Sequence, residues 1–353
     1  MSSKSKYSDA EVLRCPACGA NIVYSPVTGR WTCSSCGGTF TEDDFKNAAN
    51  ENVAAEAEPS VTESSQPELD VFRCQSCGAE LVTDSNTAAT FCAYCGSADI
   101  IKERLQGEYR PDYVLPFTIS KDEALDCYTE HCKKASFVPG VFFDQRNVKI
   151  QGIYVPFCLY SGRSEGSLTG TYETISSSNS SMLDIYSYVR SGKIDFARIP
   201  ADVSKKMDDA LMDSIEPFDF NQLKEFNYAY LSGFLAEKYD VEREGSEQLQ
   251  RVASRMESSL KSKLKKSSDF KTTEMKSEFP TIEYVLMPVW MLSVEYKGTE
   301  YHFAINGQSG TTEGFLPCEP SKKWLWFLIL TISISAVIIV PLYFFIVWLF
   351  NNA

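Results

Sequence analysis

The chain contains a repeated pattern of paired cysteines that constrains how its N-terminal third can fold. Each repeat has two CxxC pairs separated by 14 residues, and the two repeats are offset by 59 residues. A glycine follows every pair and lets the backbone turn past the sulfurs without a Cβ clash. Two such pairs at the ends of a β-hairpin form a tetrahedron of four thiolates, which suits Zn²⁺. The pattern therefore predicts two zinc ribbons, with the ligands Cys15, Cys18, Cys33, Cys36, Cys74, Cys77, Cys92 and Cys95.

The cysteine pattern does not distinguish zinc from iron, because both metals bind four cysteine thiolates. With all four positions filled by protein ligands, neither ion keeps a free position for a substrate or a water. We therefore expect two structural Zn²⁺ ions, and the sequence predicts no catalytic or other cofactor-binding residue. Disulfides are the other common use of cysteine. The polar N-terminus has no apolar signal sequence, so we expect a reducing compartment, where disulfides are rare.

A long apolar run near the C-terminus predicts a membrane anchor. From Trp324 to Leu349 the sequence has no charged residue. At about 1.5 Å per residue, this run can cross a hydrocarbon core about 30 Å thick. A core helix of this length would show a polar face, which this run lacks. Lys322 and Lys323 precede it and favour a cytoplasmic location for the preceding residues. We expect a single-pass, tail-anchored protein of the cell membrane, with residues 324–350 as its transmembrane helix and the N-terminal bulk in the cytoplasm.

Composition divides the rest of the chain into four parts. Residues 1–45 and 71–105 contain the two predicted ribbons. Residues 46–70 between them are acidic and poor in large apolar residues, which is typical of a disordered linker. Residues 106–320 alternate between helix and strand patterns. The predicted fold class is an α+β body preceded by two small zinc-ribbon β-hairpin modules and followed by one C-terminal transmembrane helix.

Capping and periodicity predict three helices in the cytoplasmic α+β domain. Ser120 and Glu123 form a capping box at the start of a helix that runs to about Lys134. Residues 204–215 are predicted as a short helix. Residues 242–266 are predicted as a long helix that packs on its own domain through one apolar stripe rather than forming a coiled coil. The stripe consists of Leu249, Val252, Met256, Leu260 and Leu264.

Apolar alternation and turn signals predict the strands. A β-rich passage covers residues 148–175 and is interrupted by several glycines. The next prediction is a hairpin that turns at Ser191–Gly192. Two closing strands over residues 282–296 and 300–305 meet at Lys297–Gly298.

The chain shows no combination of residues typical of catalysis. It has two histidines, His131 and His302, and it lacks the motifs of serine hydrolases, zinc proteases and dinucleotide-binding enzymes. Cys127, His131 and Cys132 could be drawn together as a metal site. The two cysteines are five residues apart on one helix, however, and point to different faces. We therefore expect that the protein is not an enzyme.

Charge bears on a second class of function, nucleic-acid binding. The chain has a net charge of −13, and residues 1–106 contain 8 Lys and Arg against 15 Asp and Glu. Phosphate backbones are bound by clustered Lys and Arg, so this balance disfavours DNA and RNA. A membrane-tethered zinc-ribbon nucleic-acid-binding protein is therefore the alternative, and binding of other proteins is the main expectation.

Four motifs of the body resemble those of a known family. They are Gly152-Ile-Tyr-Val-Pro-Phe157, Tyr230-Leu-Ser-Gly-Phe234, Leu286-Met-Pro-Val-Trp290 and Ala304-Ile-Asn-Gly-Gln-Ser-Gly310. Together with the ribbons they resemble bacterial membrane-anchored double zinc-ribbon proteins, sometimes labelled transcription-factor-type zinc ribbon or primosomal helicase. The chain lacks the phosphate loop that a helicase ATPase needs. Similar family members are typically encoded beside genes for phage-shock-protein-A-like and flotillin-like proteins. The resemblance implies a cytoplasmic adaptor or scaffold that recruits such partners to the cell membrane, in envelope stress or membrane organisation.

The sequence leaves two arrangements of the ribbons open. A flexible linker of about 25 residues would let the ribbons dock partners at a distance from the body. Alternatively, the ribbons pack against the body as rigid extensions with no partner of their own. The oligomeric state is also open at this point.

Overall fold

The computed structural model describes residues 15–20, 22–44, 69–84, 92, 100–104, 111–175, 183–204, 207–237, 246–263 and 269–351. The predicted linker, residues 46–70, lies outside these residues except for Leu69 and Asp70. Those two residues begin a strand.

Each group of cysteines belongs to a small antiparallel unit. We call residues 15–44 the first cysteine module and residues 69–104 the second. In the first module, β2 pairs with both β1 and β3; in the second, β4 pairs with both β5 and β6. These strands are β1 (Ile22–Ser25), β2 (Arg30–Cys33), β3 (Thr39–Phe40), β4 (Leu69–Cys74), β5 (Glu80–Asp84) and β6 (Ile100–Arg104).

The body contributes eight further strands to the sheet that contains the second module. The main path of the sheet is β10-β7-β12-β8-β11-β5-β4-β6, with β13 on β12, β14 on β13 and β9 on β8. The body strands are β7 (Tyr113–Val114), β8 (Val148–Ile175), β9 (Leu183–Asp202), β10 (Lys224–Glu225), β11 (Leu235–Glu237), β12 (Asp269–Tyr296), β13 (Thr299–Asn306) and β14 (Thr312–Gly314).

Among the described residues, four α-helices accompany this mostly β body. They are α1 (Lys121–Lys134), α2 (Asp209–Ser214), α3 (Ser246–Lys263) and α4 (Pro320–Asn351). The predicted capping box is confirmed, because the Ser120 hydroxyl accepts from the Glu123 N–H and the Glu123 carboxylate accepts from the Ser120 N–H. The packing predicted for the long helix is confirmed for Leu249, Val252 and Met256, whereas Leu264 lies outside the described residues. Val252 and Met256 of α3 are buried against the sheet beside Tyr160 and Tyr284.

Two predicted boundaries in the strands are wrong. Ser191–Gly192 is not a turn, because β9 runs through it and pairs these residues with Ser167 and Gly166 of β8. The long partner strand fixes an extended backbone where the dipeptide alone favours a turn. In addition, β12 begins at Asp269 instead of residue 282, since Pro280 lies in a bulge and does not end the strand.

The predicted short helix over residues 204–215 is also wrong in its start. The helix begins at Asp209, and Asp208 caps it by accepting from the Ala210 and Leu211 N–H groups. The side chain of Ser204 instead accepts from the Met207 N–H. This local bond offers the backbone an alternative to helix at that point.

The long strands β8, β9 and β12 extend past the body as a three-stranded projection. We call this projection the arm and define it as residues 163–175, 183–196 and 269–278. Bulges mark its base on both sides of β8, between Tyr160 and Gly162 on the β9 side and between Glu278 and Thr281 on the β12 side. At about 3.3 Å per residue the arm is about 40 Å long.

The C-terminal helix α4 leaves the body at the opposite end of β12 from the arm. The N–H of Glu319, just before α4, donates to the carbonyl of Phe137 beyond α1. Within α4, residues Trp326–Phe345 are long and apolar enough to cross a membrane, and none of this stretch is buried in the protein. The predicted span is therefore present as an uncovered apolar helix.

Candidate metal centres

The four cysteines of the first module come together as predicted. All four Sγ atoms lie within 4.8 Å of one another. Two of the separations, Cys15 to Cys36 and Cys18 to Cys33, are 3.6 Å. Disulfide sulfurs would be about 2.05 Å apart. Zn–S bonds of about 2.3 Å in a tetrahedron place sulfurs about 3.8 Å apart, so this cluster could hold a metal ion.

A repeated backbone turn positions these sulfurs. In the turn from Cys15, the Gly19 N–H donates to the Cys15 carbonyl and the Cys15 N–H donates to the Ala20 carbonyl. The same two bonds recur in the turns that start at Cys33 and Cys74. Each of these turns contains a glycine at φ near +70°, a conformation that a Cβ disfavours. The CxxCG sequence therefore builds the same turn at each of these three places in the described residues.

The second module repeats this geometry as far as it is described. The sulfurs of Cys74, Cys77 and Cys92 lie within 4.8 Å of one another, and Cys77 and Cys92 are 3.6 Å apart. This pair corresponds in the repeat to Cys18 and Cys33 of the first module, which show the same distance. Cys95, the predicted fourth ligand, lies outside the described residues.

Hydrogen bonding prepares one of the sulfurs for a cation. The backbone N–H of Cys36 donates to the Cys33 sulfur at 3.5 Å, and this contact lowers the pKa of the Cys33 thiol to about 6. A thiol with this pKa is mostly thiolate at neutral pH. Thiolate is the form that binds metal ions.

The first module is packed onto the body through aromatic side chains. Trp31 lies two residues before Cys33 in β2. Its indole N–H donates to the Ala229 carbonyl at 3.0 Å, and this hydrogen bond is buried. The Trp31 and Tyr24 rings lie 5.0 and 5.4 Å from the ring of Tyr230. The Tyr24 hydroxyl donates to the Phe117 carbonyl at 3.4 Å. These side chains share one core with the body.

The second module is joined to the body by strand pairing. Ala236 of β11 is paired with Val82 of β5, and the Thr83 hydroxyl donates to the buried Phe234 carbonyl at 3.0 Å. The segment 229–237 therefore contacts both modules, and it contains the motif Tyr230 to Phe234. Of the two arrangements that the sequence left open, these contacts agree with modules packed on the body. The aromatic residues inside the cysteine repeats were the available sequence signal for this packing.

The alternative metal site on α1 does not form in the described residues. Cys132 is buried, with its sulfur 4.0 Å from the Phe142 carbonyl. Cys127 and His131 instead line an open cleft between α1 and residues 310–313. The two cysteines therefore face different sides of the helix, as predicted. His302 lies in β13, where burial lowers the pKa of its imidazole.

The fold and these clusters together define the class of protein. It has a mostly β body, two N-terminal cysteine clusters that could hold metal ions, and one apolar C-terminal helix that could span a membrane. The chain matches no family model, and no solved structure matches it.

A curated relative places the chain in a family. Over 324 residues it is 33% identical to the uncharacterized protein YdjG of Bacillus subtilis (strain 168), and the aligned region covers 89% of this chain and 92% of that protein. The chain belongs to the YdjG family. The match spans nearly the whole length of both proteins, so it includes the body.

Proposed function

We propose that this protein is a single-pass, tail-anchored adaptor of the cell membrane whose cytoplasmic part binds other proteins. The observation that carries the proposal is the apolar helix α4. Its stretch Trp326–Phe345 has no buried residue, yet it follows directly on a folded body. An uncovered apolar surface of this size is stable in a lipid bilayer and unstable in water. The helix would supply location, and the body would supply the binding surface.

We also propose that each cysteine cluster holds one Zn²⁺ ion in a structural role. Cys15, Cys18, Cys33 and Cys36 would hold the first ion, and the second module would hold the other through Cys74, Cys77, Cys92 and Cys95. The sulfur separations of 3.6 Å suit four-thiolate coordination. Bound metal would stabilise the β1–β2 hairpin, which places Tyr24 and Trp31 in the core of the body. The metal would therefore support the shape of the binding surface.

The partners we propose are phage-shock-protein-A-like and flotillin-like proteins, as the sequence resemblance implies. Proteins of these kinds act at membranes, so an anchored adaptor would raise their concentration at the bilayer without any new contact between them and lipid. The packing of both modules on the body supports one rigid binding surface rather than ribbons that search on a linker. The proposal therefore differs from the arrangement in which the ribbons bind partners at a distance from the body on a flexible linker.

Affinity capture of the full-length chain tests the proposal. The tagged chain is cross-linked in cells, extracted in detergent and analysed by mass spectrometry. The matched control fuses residues 318–353 to an unrelated soluble protein, so that it shares the anchor but not the body. We expect phage-shock-protein-A-like or flotillin-like proteins to be enriched with the full chain over this control. Equal recovery with both baits would refute the adaptor. Salt-dependent recovery of DNA or RNA with the full chain alone would favour the nucleic-acid-binding alternative.

A further inference from the structure

The arm has two outer strands, β9 and β12, and they differ in how their free edges are protected. Natural sheet edges are commonly protected by bulges, proline and lysine, which hinder pairing with another chain. The β12 edge has all three, with a bulge near Thr273, Pro280 in the bulge at the base of the arm, Lys271 before the first bulge and Lys276 between the two. In the arm, β9 pairs with β8 over residues 183–196 with no register shift. Its first seven residues contain no proline and no lysine.

The same part of β9 exposes apolar side chains. Leu183, Ile185 and Val189 lie on one face of the arm, and each is between 61% and 66% exposed. Ile175 of β8 is paired with Leu183, so it lies on that face too and is 65% exposed. Among the described residues, β9 pairs with no strand other than β8. The arm therefore presents an apolar, register-regular strand edge at its outer end.

We propose that this edge pairs with the same edge of a second copy of the chain, joining two arms into one six-stranded antiparallel sheet. A symmetric antiparallel pair has its two-fold axis normal to the sheet, and directly opposed residues point to the same face. Two residues that are directly opposite each other must then both have odd numbers or both have even numbers. This condition leaves few registers to consider.

One of these registers makes β9 self-complementary. With Ser187 on the axis, Asp184 is opposite Arg190 of the second copy, and Ile185 is opposite Val189 of the second copy. Each pair occurs twice because of the symmetry. Opposite charges and apolar or β-branched residues stabilise antiparallel sheets when they are directly opposed. Moving the axis to Tyr188 would instead place Asp184 opposite Gly192 and lose both charge pairs. The charge pattern thus selects the second copy, in this register, as the occupant of the edge.

The location of the edge allows such pairing while both chains are anchored. The base of α4 lies near the Tyr296 end of β12, since Phe315, five residues before α4, stacks on Tyr301 of β13, and Tyr301 pairs with Val294 of β12. The tip of the arm lies at the other end of β12, up to about 90 Å away along the strand. Pairing through the arm tips therefore does not require the two helices to touch. The proposal is also independent of the adaptor function, because a monomer could still recruit partners.

Cysteine cross-linking of the full-length chain in detergent tests the register. Ser187→Cys should form a disulfide with itself across the axis, since opposed Cα atoms about 4.5 to 5.5 Å apart are within disulfide range. Ser191→Cys is the matched control, because Ser191 is also exposed and lies on the same face of the same strand. In the proposed register its two copies would be about 26 Å apart. We expect a 187–187 disulfide, located by mass spectrometry, well above the level at residue 191. Equal cross-linking at the two positions would overturn the register.

Charge reversal tests whether the pairing is the interface. Asp184→Arg and Arg190→Asp each place like charges opposite each other twice, so each should weaken dimerisation about tenfold or more, measured by fluorescence energy transfer on dilution. The double variant should restore the dimer, because residues 184 and 190 are about 20 Å apart within one chain and cannot compensate locally. A wild-type chain that stays monomeric would overturn the proposal. So would a dimer that is insensitive to the reversals, which would place the contact in α4 or elsewhere, or a double variant without recovery.

Discussion

The residues that matter most in the first module connect its cysteine cluster to the body. Cys33 ends β2, and Trp31 precedes it by two residues on the same strand. Both side chains are buried, and Trp31 donates to Ala229 of the body. Whatever holds Cys33 in place therefore also holds Trp31 in the shared core. This coupling means that metal binding at the module should affect the stability of the whole soluble part.

Replacing Cys33 with serine should remove one metal and destabilise the body as well as the module. We expect the metal content to fall from two ions per chain to one, as measured by elemental analysis of protein purified without chelators. Thermal unfolding, followed by near-ultraviolet circular dichroism, should show a loss of about 3 kcal/mol or more, because metal binding supplies folding energy to such modules. Cys318→Ser is the control, since Cys318 is exposed and lies outside both clusters. A body that unfolds as in the wild type would show that the module is energetically separate.

At the scale of secondary-structure elements, the base of the arm and the packing of α3 on the sheet depend on close contacts. Gly162 lies where the bulges of both ladders meet, and a Cβ there would be 2.0 Å from the Glu278 carbonyl oxygen. On α3, Arg251 donates to the fully buried Asp202 at 2.6 Å and to Asp213 at 2.7 Å. The close approach at Gly162 shapes the base of the arm, and the contacts of Arg251 fix α3 to the sheet.

Gly162→Ala should destabilise the protein, because its Cβ would meet backbone that cannot move aside without breaking the bulge. We expect a loss of about 2–4 kcal/mol in the free energy of unfolding. Gly192→Ala provides a matched control in the neighbouring strand, since a Cβ there meets nothing within 4 Å. It should change stability by no more than about 0.5 kcal/mol. Equal effects of the two substitutions, measured by denaturant titration, would contradict the close approach at the base of the arm.

Arg251→Ala should destabilise the chain by about 3–5 kcal/mol at neutral pH, because it leaves a buried carboxylate without its charge partner. Burial already raises the pKa of Asp202 to about 6 with Arg251 present. A carboxyl whose pKa is raised in the folded state holds its proton there at pH values where the unfolded chain has lost it. The difference from the wild type should therefore be largest above pH 6 and shrink as the pH falls. Ser254→Ala on the exposed side of α3 should show no such trend.

The sequence predicted elements whose cause is local and missed those whose cause is distant. The capping box at Ser120 and the cysteine turns depend on neighbours within a few residues, and both are as predicted. The turn assigned to Ser191–Gly192 is wrong because pairing with Ser167 and Gly166 of β8 fixes the backbone there. The contact between Arg251 and Asp202 joins residues 49 apart, and an arginine on a helix gives no sign that it is buried.

At the scale of the whole molecule, the described parts form one connected body between the arm and α4. The second module continues the sheet through β11, and the first shares its core. The sequence predicted these modules and the apolar C-terminal helix, but not the arm, because long strands interrupted by glycine and proline look like several short ones. The orientation of α4 and the partners of the body stay predictions.

The predicted topology places residues 1–321 in the cytoplasm, because Lys322 and Lys323 flank the start of the apolar stretch. Protease added to intact cells stripped of their outer wall should leave the soluble part uncut. The same treatment after lysis should digest it, which controls for intrinsic resistance. Cleavage in intact cells would show that the orientation is the opposite of the predicted one. It would also mean that the cysteines lie in an oxidising compartment.

The most direct test of the adaptor is the membrane-bound fraction of a fluorescently labelled phage-shock-protein-A-like or flotillin-like partner. It is measured in cells that produce equal amounts of three chains: the full-length protein, a version without residues 320–353, and a version in which an unrelated apolar helix replaces α4. We predict that the partner is at the membrane with the first and third chains and in the cytosol with the second. A membrane-bound fraction that is the same with all three chains would contradict the account.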